Sequence, residues 1–342
     1  MRFRPSSLAI APGFLGAFFL ALVCSSCKEE DRDPGGIGQP PASTAPAPTP
    51  AVSASAAAEP PRVRETKEDG RAIRFVAYNV ENWLTMERFV NGKAIPGVAK
   101  PEKERRAVVE AILSSRPDIL GISEIGNESD VEDLKKHLSD AGLPLPYSHL
   151  SRGGDPTRSL VILSRFPIGS TKIHENLGYR LGDRAYLMQR GILDASVNTP
   201  AGALRFLGVH LKSKREVEEG DQEEMRRSEG HLLRRELDRI LQEDPQARLV
   251  VYGDFNDTRQ SSTIKTVHGS GKGSRLKMVA LKDSRGHYWT HHWSSEDVYS
   301  RIDYVFVSPA LGRAVAWDQC KILDNGAVAV ASDHRPLLVV LK

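Results

Sequence analysis

RLVVYGDFND, residues 248–257, is an apolar run of strand length that stops at Gly253 and then presents Asp254, Asn256 and Asp257. Such a run reads as a strand buried on both faces, with its polar chemistry carried just past its carboxyl end. The pattern repeats outward along the chain. IRFVAY (73–78) meets Asn79, DILGIS (118–123) meets Glu124, and LRFLGV (204–209) meets His210, while LLVVL (337–341) follows Ser332, Asp333 and His334. SLVILS (159–164), GILDASV (191–197) and IDYVFV (302–307) are further strands of the same kind. Acids, amides and imidazoles placed beside strand ends can converge at one rim of a sheet, where ligands commonly sit. A lone Asp after a strand is more often a turn former. Taken together, these positions offer carboxylates for a hard cation, a spare carboxylate to take a proton from water, and two histidines for phosphate or leaving-group work.

Helical patterns fall between the runs. One carries Val108, Val109, Ile112 and Leu113. A second is predicted to start at Ser129, with Glu132 reaching back to the cap, and places Val131, Leu134 and Leu138 on one face. A third runs from about Glu223 to Leu241 behind an acidic start. Eight or more buried strands with few long helices predict a layered α/β domain. The 342 residues leave room for one large domain or two modest ones. With 47 basic against 44 acidic side chains, the net charge of +3 excludes a purely electrostatic nucleic-acid binder, so a polyanion would have to be met locally. Three cysteines, Cys24, Cys27 and Cys320, exclude a disulfide scaffold and a cysteine zinc site. No GxSxG elbow is present, which disfavours a covalent esterase.

Arg2 and Arg4 precede an apolar run from Leu8 to Val23 and the small residues CSSC, the pattern of a secretory signal. Residues 1–27 resemble a bacterial lipoprotein signal, with Cys27 as the lipidated residue. That predicts an extracytoplasmic protein, tethered to a membrane by lipid or secreted. Residues 28–69 are rich in Pro and Ala, with no aromatic residue between Leu20 and Arg74, and read as a disordered extended linker. The folded domain is therefore expected over residues 70–342, with Cys320 a core residue.

In order and spacing, NVENW (79–83), GISEIG (121–126), GVHLKSK (208–214), GDFND (253–257), RIDYVFVS (301–308) and SDHRP (332–336) resemble the motifs of the endonuclease/exonuclease/phosphatase superfamily, deoxyribonuclease I among its members. The resemblance implies a four-layer sandwich of two mixed β-sheets flanked by helices. It implies that Asn79, Glu124 and Asp333 serve a divalent ion, Mg2+ or Mn2+, with Glu124 the direct ligand. Asp254 would be the general base, Asn256 its partner on phosphate, and Asp303 the orienting acid of a protonated His334. His210 resembles the histidine that assists the leaving group, although no acid between Leu160 and Arg190 stands ready to orient it. Arg190, Lys212 and Arg301 could contact substrate phosphate or pair with carboxylates. His287, His291 and His292 in GHYWTHHW (286–293) evoke a zinc cluster, but a strand pair with surface aromatics is the preferred reading. The expected function is metal-dependent phosphodiester hydrolysis, with DNA or RNA the first substrate class, a lipid phosphodiester the second, and an inactive binding module the third. Nothing in the sequence points to a protein partner.

Overall fold

The computed structural model describes residues 72–342 apart from 175, 219 and 272, within the second of two units of the chain, Arg64–Lys342. The signal at 1–27 with its lipidated Cys27, and the linker at 28–69, lie outside the described residues. Among the described residues no helix is long and apolar enough to cross a membrane.

The chain enters on β1 (Ile73–Trp83), turns through the hairpin β2 (Met86–Val90) and β3 (Lys93–Val98), and forms α1 (Glu102–Leu113), β4 (Ile119–Ile125) and α2 (Glu128–Asp140). Five strands follow, β5 (Tyr147–Ser151), β6 (Ser159–Ser164), β7 (Ile168–Lys172), β8 (Gly178–Leu181) and β9 (Arg184–Leu187). Then come β10 (Leu193–Thr199), β11 (Gly202–His210), the long α3 (Gln222–Glu243), β12 (Leu249–Asp254) and α4 (Ser262–His268). The remainder adds β13 (Lys277–Met278), β14 (His291–Trp293), β15 (Val298–Ser300), β16 (Asp303–Val307), β17 (Lys321–Ile322), α5 (Val328–Ala331) and β18 (Leu337–Leu341). One six-stranded sheet has the order β17-β18-β1-β4-β6-β5 and the other β13-β16-β12-β11-β10-β7; both mix parallel and antiparallel neighbours.

Alternation along the strands builds the layers. Phe75 and Ala77 of β1 face Phe206, Val250 and Tyr252 in the core between the sheets, whereas Val76, Tyr78 and Val80 face outward onto Val108 and Ile112 of α1 and Leu134 of α2. In the second sheet Val251, Tyr304 and Phe306 face outward onto Leu233 and Leu237 of α3 and Ile264 of α4. A central strand covered on both faces must be apolar at every position, which is why the sequence shows runs rather than alternation. The four layers are thus helices, sheet, sheet and helices. Phe75 anchors the middle, with its ring 4.9 Å from that of Tyr252 and 5.0 Å from that of Phe206. Fully burying each such ring contributes roughly 1.5–3 kcal/mol. The two sheets can close on Tyr252 because Gly121 and Gly208 lie against its ring, and a Cβ at either would collide with it.

The cap of α2 differs from the sequence expectation. Asn127, not Ser129, is the N-cap: its side chain accepts the N–H groups of Ser129 and Asp130, and Asp130 reciprocates on the Asn127 N–H. Asn competes well with Ser for this role, and the Ser129 hydroxyl instead donates to the Asn127 side chain at 2.6 Å. The long helix α3 begins where the acidic run places it, capped by Asp221. Cys320 is a buried free thiol whose Sγ lies 3.2 Å from the Ala316 carbonyl.

Topology brings the polar residues to one rim. Parallel neighbours β1 and β4 end together, pairing Asn79 with Ser123 just before Glu124. In the other sheet, parallel β11 and β12 pair His210 with Asp254. Antiparallel β16 begins at that same edge, with Asp303 opposite Asp254. His334 precedes β18, which runs antiparallel to β1. Ends of parallel strands and starts of their antiparallel neighbours therefore meet on one side.

Candidate active site

Asn79 is the hub. Its Nδ2 donates to Glu124 Oε1 at 3.1 Å and to Asp254 Oδ2 at 3.2 Å, and lies 3.4 Å from His334 Nε2. Its Oδ1 accepts the Glu81 N–H at 3.0 Å, so in this arrangement Asn79 offers the carboxylates donors and keeps its oxygen for the backbone. Glu124 is fixed by the Asn82 N–H on Oε2 at 3.1 Å. Asn256 closes over Asp254 with its N–H on Oδ1 at 2.8 Å, its Nδ2 3.3 Å from Oδ2 and 3.0 Å from the Leu211 carbonyl.

His334 is held from both ends. Nδ1 lies 2.9 Å from Asp303 Oδ2 and Nε2 lies 3.6 Å from Asp254 Oδ2. Asp303 also accepts the Thr290 hydroxyl at 2.7 Å. Burial works against the imidazole's charge, but the Asp303 and Asp254 carboxylates override it and hold His334 well above the usual histidine range. Burial, reinforced by Asp303 and Glu124 and opposed by His334, pushes Asp254 up to about 7.

His210 joins the cluster in a different state. Its Nε2 is 3.5 Å from Asp254 and 3.9 Å from Glu124, yet burial, and next the guanidinium of Arg190, lower its pKa well below the ordinary value. Burial and these cations thus favour the uncharged imidazole at His210, beside the Asp254 and Glu124 carboxylates. Among the described residues its Nδ1 has no hydrogen-bond partner.

Asp333 stands at the rim, its N–H on Glu81 Oε2 at 3.2 Å and its carboxylate 3.5 Å from His291 Nε2. Arg190 is buried with Nε 3.4 Å from Asp155, and its cation, like that of Lys212, bears on His210. Arg301 turns elsewhere: its guanidinium lies over the Tyr304 ring at 5.2 Å and donates to the Val279 carbonyl at 3.3 Å. It thus engages a ring and a backbone carbonyl.

Several neighbours escaped the sequence reading. Arg158 donates from Nε to Asn82 Oδ1 at 2.8 Å and stands 4.0 Å from Glu124. Thr290 and His291 come from GHYWTHHW; β14 and β15 do pair, with Trp293 and Tyr299 exposed, but His291 turns inward onto His334, ring centroids 4.6 Å apart. Glu81, Asn82, Glu124 and Asn256 all adopt positive φ, 48°, 61°, 63° and 51°. Side chains rarely accept that backbone, and such strain gathers at functional sites. Only the position of Arg158, immediately before the SLVILS strand, was a usable signal.

The donor set suits a hard divalent cation, since Glu124 and Asp333 offer carboxylate oxygens with no thiolate nearby. Among the described residues, ligand atoms of Asp254, Asp303 and His334, and of His291, Asp333 and His334, also lie close enough together to hold an ion.

A family model described as the Endonuclease/Exonuclease/phosphatase family matches residues 90–334. No curated protein sequence matches the chain. Among solved structures, it resembles an endonuclease/exonuclease/phosphatase from Bacteroides vulgatus at 18% identity and TM-score 0.55, covering 80% of this chain and 99% of that one. Sphingomyelinase C from Streptomyces griseocarneus aligns at 13% identity and TM-score 0.52, covering 80% and 100%. The human Nocturnin catalytic domain with bound sulfate aligns at 18% identity and TM-score 0.53, covering 79% and 94%. At such identities these structures share the fold, and the fold alone does not choose a substrate.

Proposed function

Since the chain belongs to the endonuclease/exonuclease/phosphatase family, whose members are hydrolases of phosphate esters, we propose that it is a metal-dependent phosphodiesterase acting on DNA or RNA outside the cytoplasm. The observation that carries this reading is the buried Asp254 facing a His334 that Asp303 keeps charged.

In this reading Asp254 takes the proton of a water aligned on phosphorus, and the P–O bond to the leaving group breaks as the new one forms. His334, cationic and clamped by Asp303, faces the phosphoryl oxygens on which charge builds. Asn79 and Asn256 keep Asp254 aimed, while Arg190 and Lys212 draw the anionic substrate toward the rim. Glu124 and Asp333 would hold a magnesium or manganese ion, which supplies charge stabilisation at the phosphoryl oxygens when bound.

The extracytoplasmic assignment is supported by the signal-like start of the sequence. A lipid phosphodiester is the second reading, favoured by the β2–β3 hairpin, which exposes Phe89 at 79% together with Val90 and Ile95.

The test is a panel of plasmid DNA, RNA, sphingomyelin and bis(4-nitrophenyl) phosphate, each with magnesium, manganese or EDTA. Cleavage of nucleic acid that EDTA abolishes is expected. Sphingomyelin hydrolysed with DNA and RNA untouched would move the assignment to lipid, and full activity in EDTA would remove the metal.

A further inference from the structure

Glu229 is fully buried on α3 and takes no part in the chemistry above. Both its carboxylate oxygens are committed to the backbone of other segments. Oε1 accepts the Gln189 N–H at 3.0 Å and Oε2 accepts the Lys212 N–H at 2.6 Å. One turn earlier on the helix, Arg226, also buried, donates from Nη1 to the carbonyls of Lys212 at 3.2 Å and Ser213 at 3.4 Å, and from Nε to Asp257 at 3.2 Å. The helix therefore grips Lys212 by both its N–H and its C=O, and reaches the GDFND loop through Asp257.

The segments gripped carry the chemistry. Gln189 adjoins Arg190, and Lys212 lies two residues beyond His210, at the end of β11. The two segments flank the antiparallel β10–β11 ladder beyond its last pair, Leu193 with Gly208, and Glu229 bridges their backbones where that ladder has ended. A carboxylate without water is costly to keep, and burial pushes Glu229 up from its ordinary range, while the Gln189 and Lys212 N–H groups and the cations of Arg190 and Lys212 pull it back. A buried acid so completely satisfied by backbone from two chain segments is more than helix packing requires, because an apolar side chain at this position on the helix would pack without that cost.

We propose that Glu229 is a positioning residue that sets the spacing between the Arg190 and Lys212 segments, so that their cations approach the substrate phosphate from fixed directions. The proposal rests on the phosphodiesterase reading and deepens it, assigning the substrate's charge recognition to a residue that never touches substrate. Second-tier contacts of this kind matter because misplacing a binding group by a fraction of its bond length weakens the contact.

The experiment compares the full chain with Glu229→Gln, Glu229→Ala and Leu237→Ala. Leu237 is equally buried on the same helix but packs only into the outer core, so its variant reports loss of stability alone. Hydrogen exchange is followed at the Gln189 and Lys212 amides, and KM and kcat are measured on whichever phosphodiester the wild type cleaves. Glu229→Ala is expected to accelerate exchange at both amides and to raise KM by about tenfold to a hundredfold. Glu229→Gln keeps the shape and one acceptor oxygen, so its KM should rise less, and it decides the matter if the alanine variant does not fold. Leu237→Ala should lower the melting temperature and leave KM close to wild type. An active wild type whose Glu229 variants keep KM, or raise it no more than Leu237→Ala does, overturns this proposal alone. A wild type that cleaves no phosphodiester overturns the phosphodiesterase reading and this proposal with it.

Discussion

A carboxylate buried 3.6 Å from a histidine cation is a useful base only while its neighbours keep it aimed. Asp254→Asn retains the shape and one acceptor oxygen while leaving Glu124 in place, so metal binding measured by calorimetry should survive while turnover falls roughly a hundredfold to ten-thousandfold. Glu124→Ala should act on the other variable, raising the magnesium concentration needed for half-maximal activity. His334→Ala should fall as far as Asp254→Asn, and Asp303→Asn less, because Asp303 acts through the imidazole. If Asp254→Asn kept near-native turnover at saturating metal, the base would have to lie elsewhere. The residues behind these predictions were legible because each adjoins an apolar run, so strand pattern alone put Asn79, Glu124, His210 and Asp254 at one edge. Asn82, Arg158 and Thr290 were not. Asn82 reaches Glu124 through a left-handed turn that no periodicity announces, and Thr290 gains its meaning only when a distant Asp303 pairs into the neighbouring strand. The surroundings of His210 were hidden for a similar reason, since its burial and the cations near it come from other segments.

Among elements, β12 shows how far a motif can be read from structure back to sequence. Gly253 has φ of +136°, and a Cβ there would land on the Val209 carbonyl of the paired strand. Gly253→Ala should therefore cost on the order of 3 kcal/mol or more in urea unfolding, with β11 and β12 forced apart. A loss below half that would mean that the strands yield easily. The loop that ends at Thr290 answers to pH instead. Burial works to raise the Asp283 carboxyl, but the His287 N–H, the Arg335 guanidinium at 3.0 Å and the Arg285 N–H hold it at about 2. Its unfolded pKa is about 3.9, so the pair's contribution is complete above that value and is lost as pH falls from about 4 toward 2. The gap in melting temperature between wild type and Asp283→Asn should be wide at pH 7 and narrow across that window; a constant gap would show that Asp283 stabilises without its charge. Helix and strand cores were readable at this scale, whereas β2–β3 and β8–β9 were not. They are short, largely exposed hairpins without an apolar run to mark them.

For the whole molecule, a layered α/β domain followed from counting buried runs and the four layers from the family resemblance, while the order of strands followed from neither, because parallel and antiparallel neighbours are equally apolar once both faces are covered. The first strand of the described fold pairs with the last, Ile73 opposite Leu341, and the second sheet is built from the chain between them. The centre is consequently divided: Asn79, Glu124 and His334 come with one sheet and His210, Asp254 and Asp303 with the other. Loss of activity in denaturant should coincide with loss of tertiary fluorescence, since neither sheet alone holds both base and cation. An inactivation midpoint well below the unfolding midpoint would indicate instead that the rim loosens first. The same closure of first strand on last has a meaning in time. During synthesis β18 and His334 leave the ribosome after the rest of the described fold, and β1 waits exposed until they arrive. A nascent chain that stops short of β18 thus carries Asp254 without His334, and the rim is assembled only once that strand has been made.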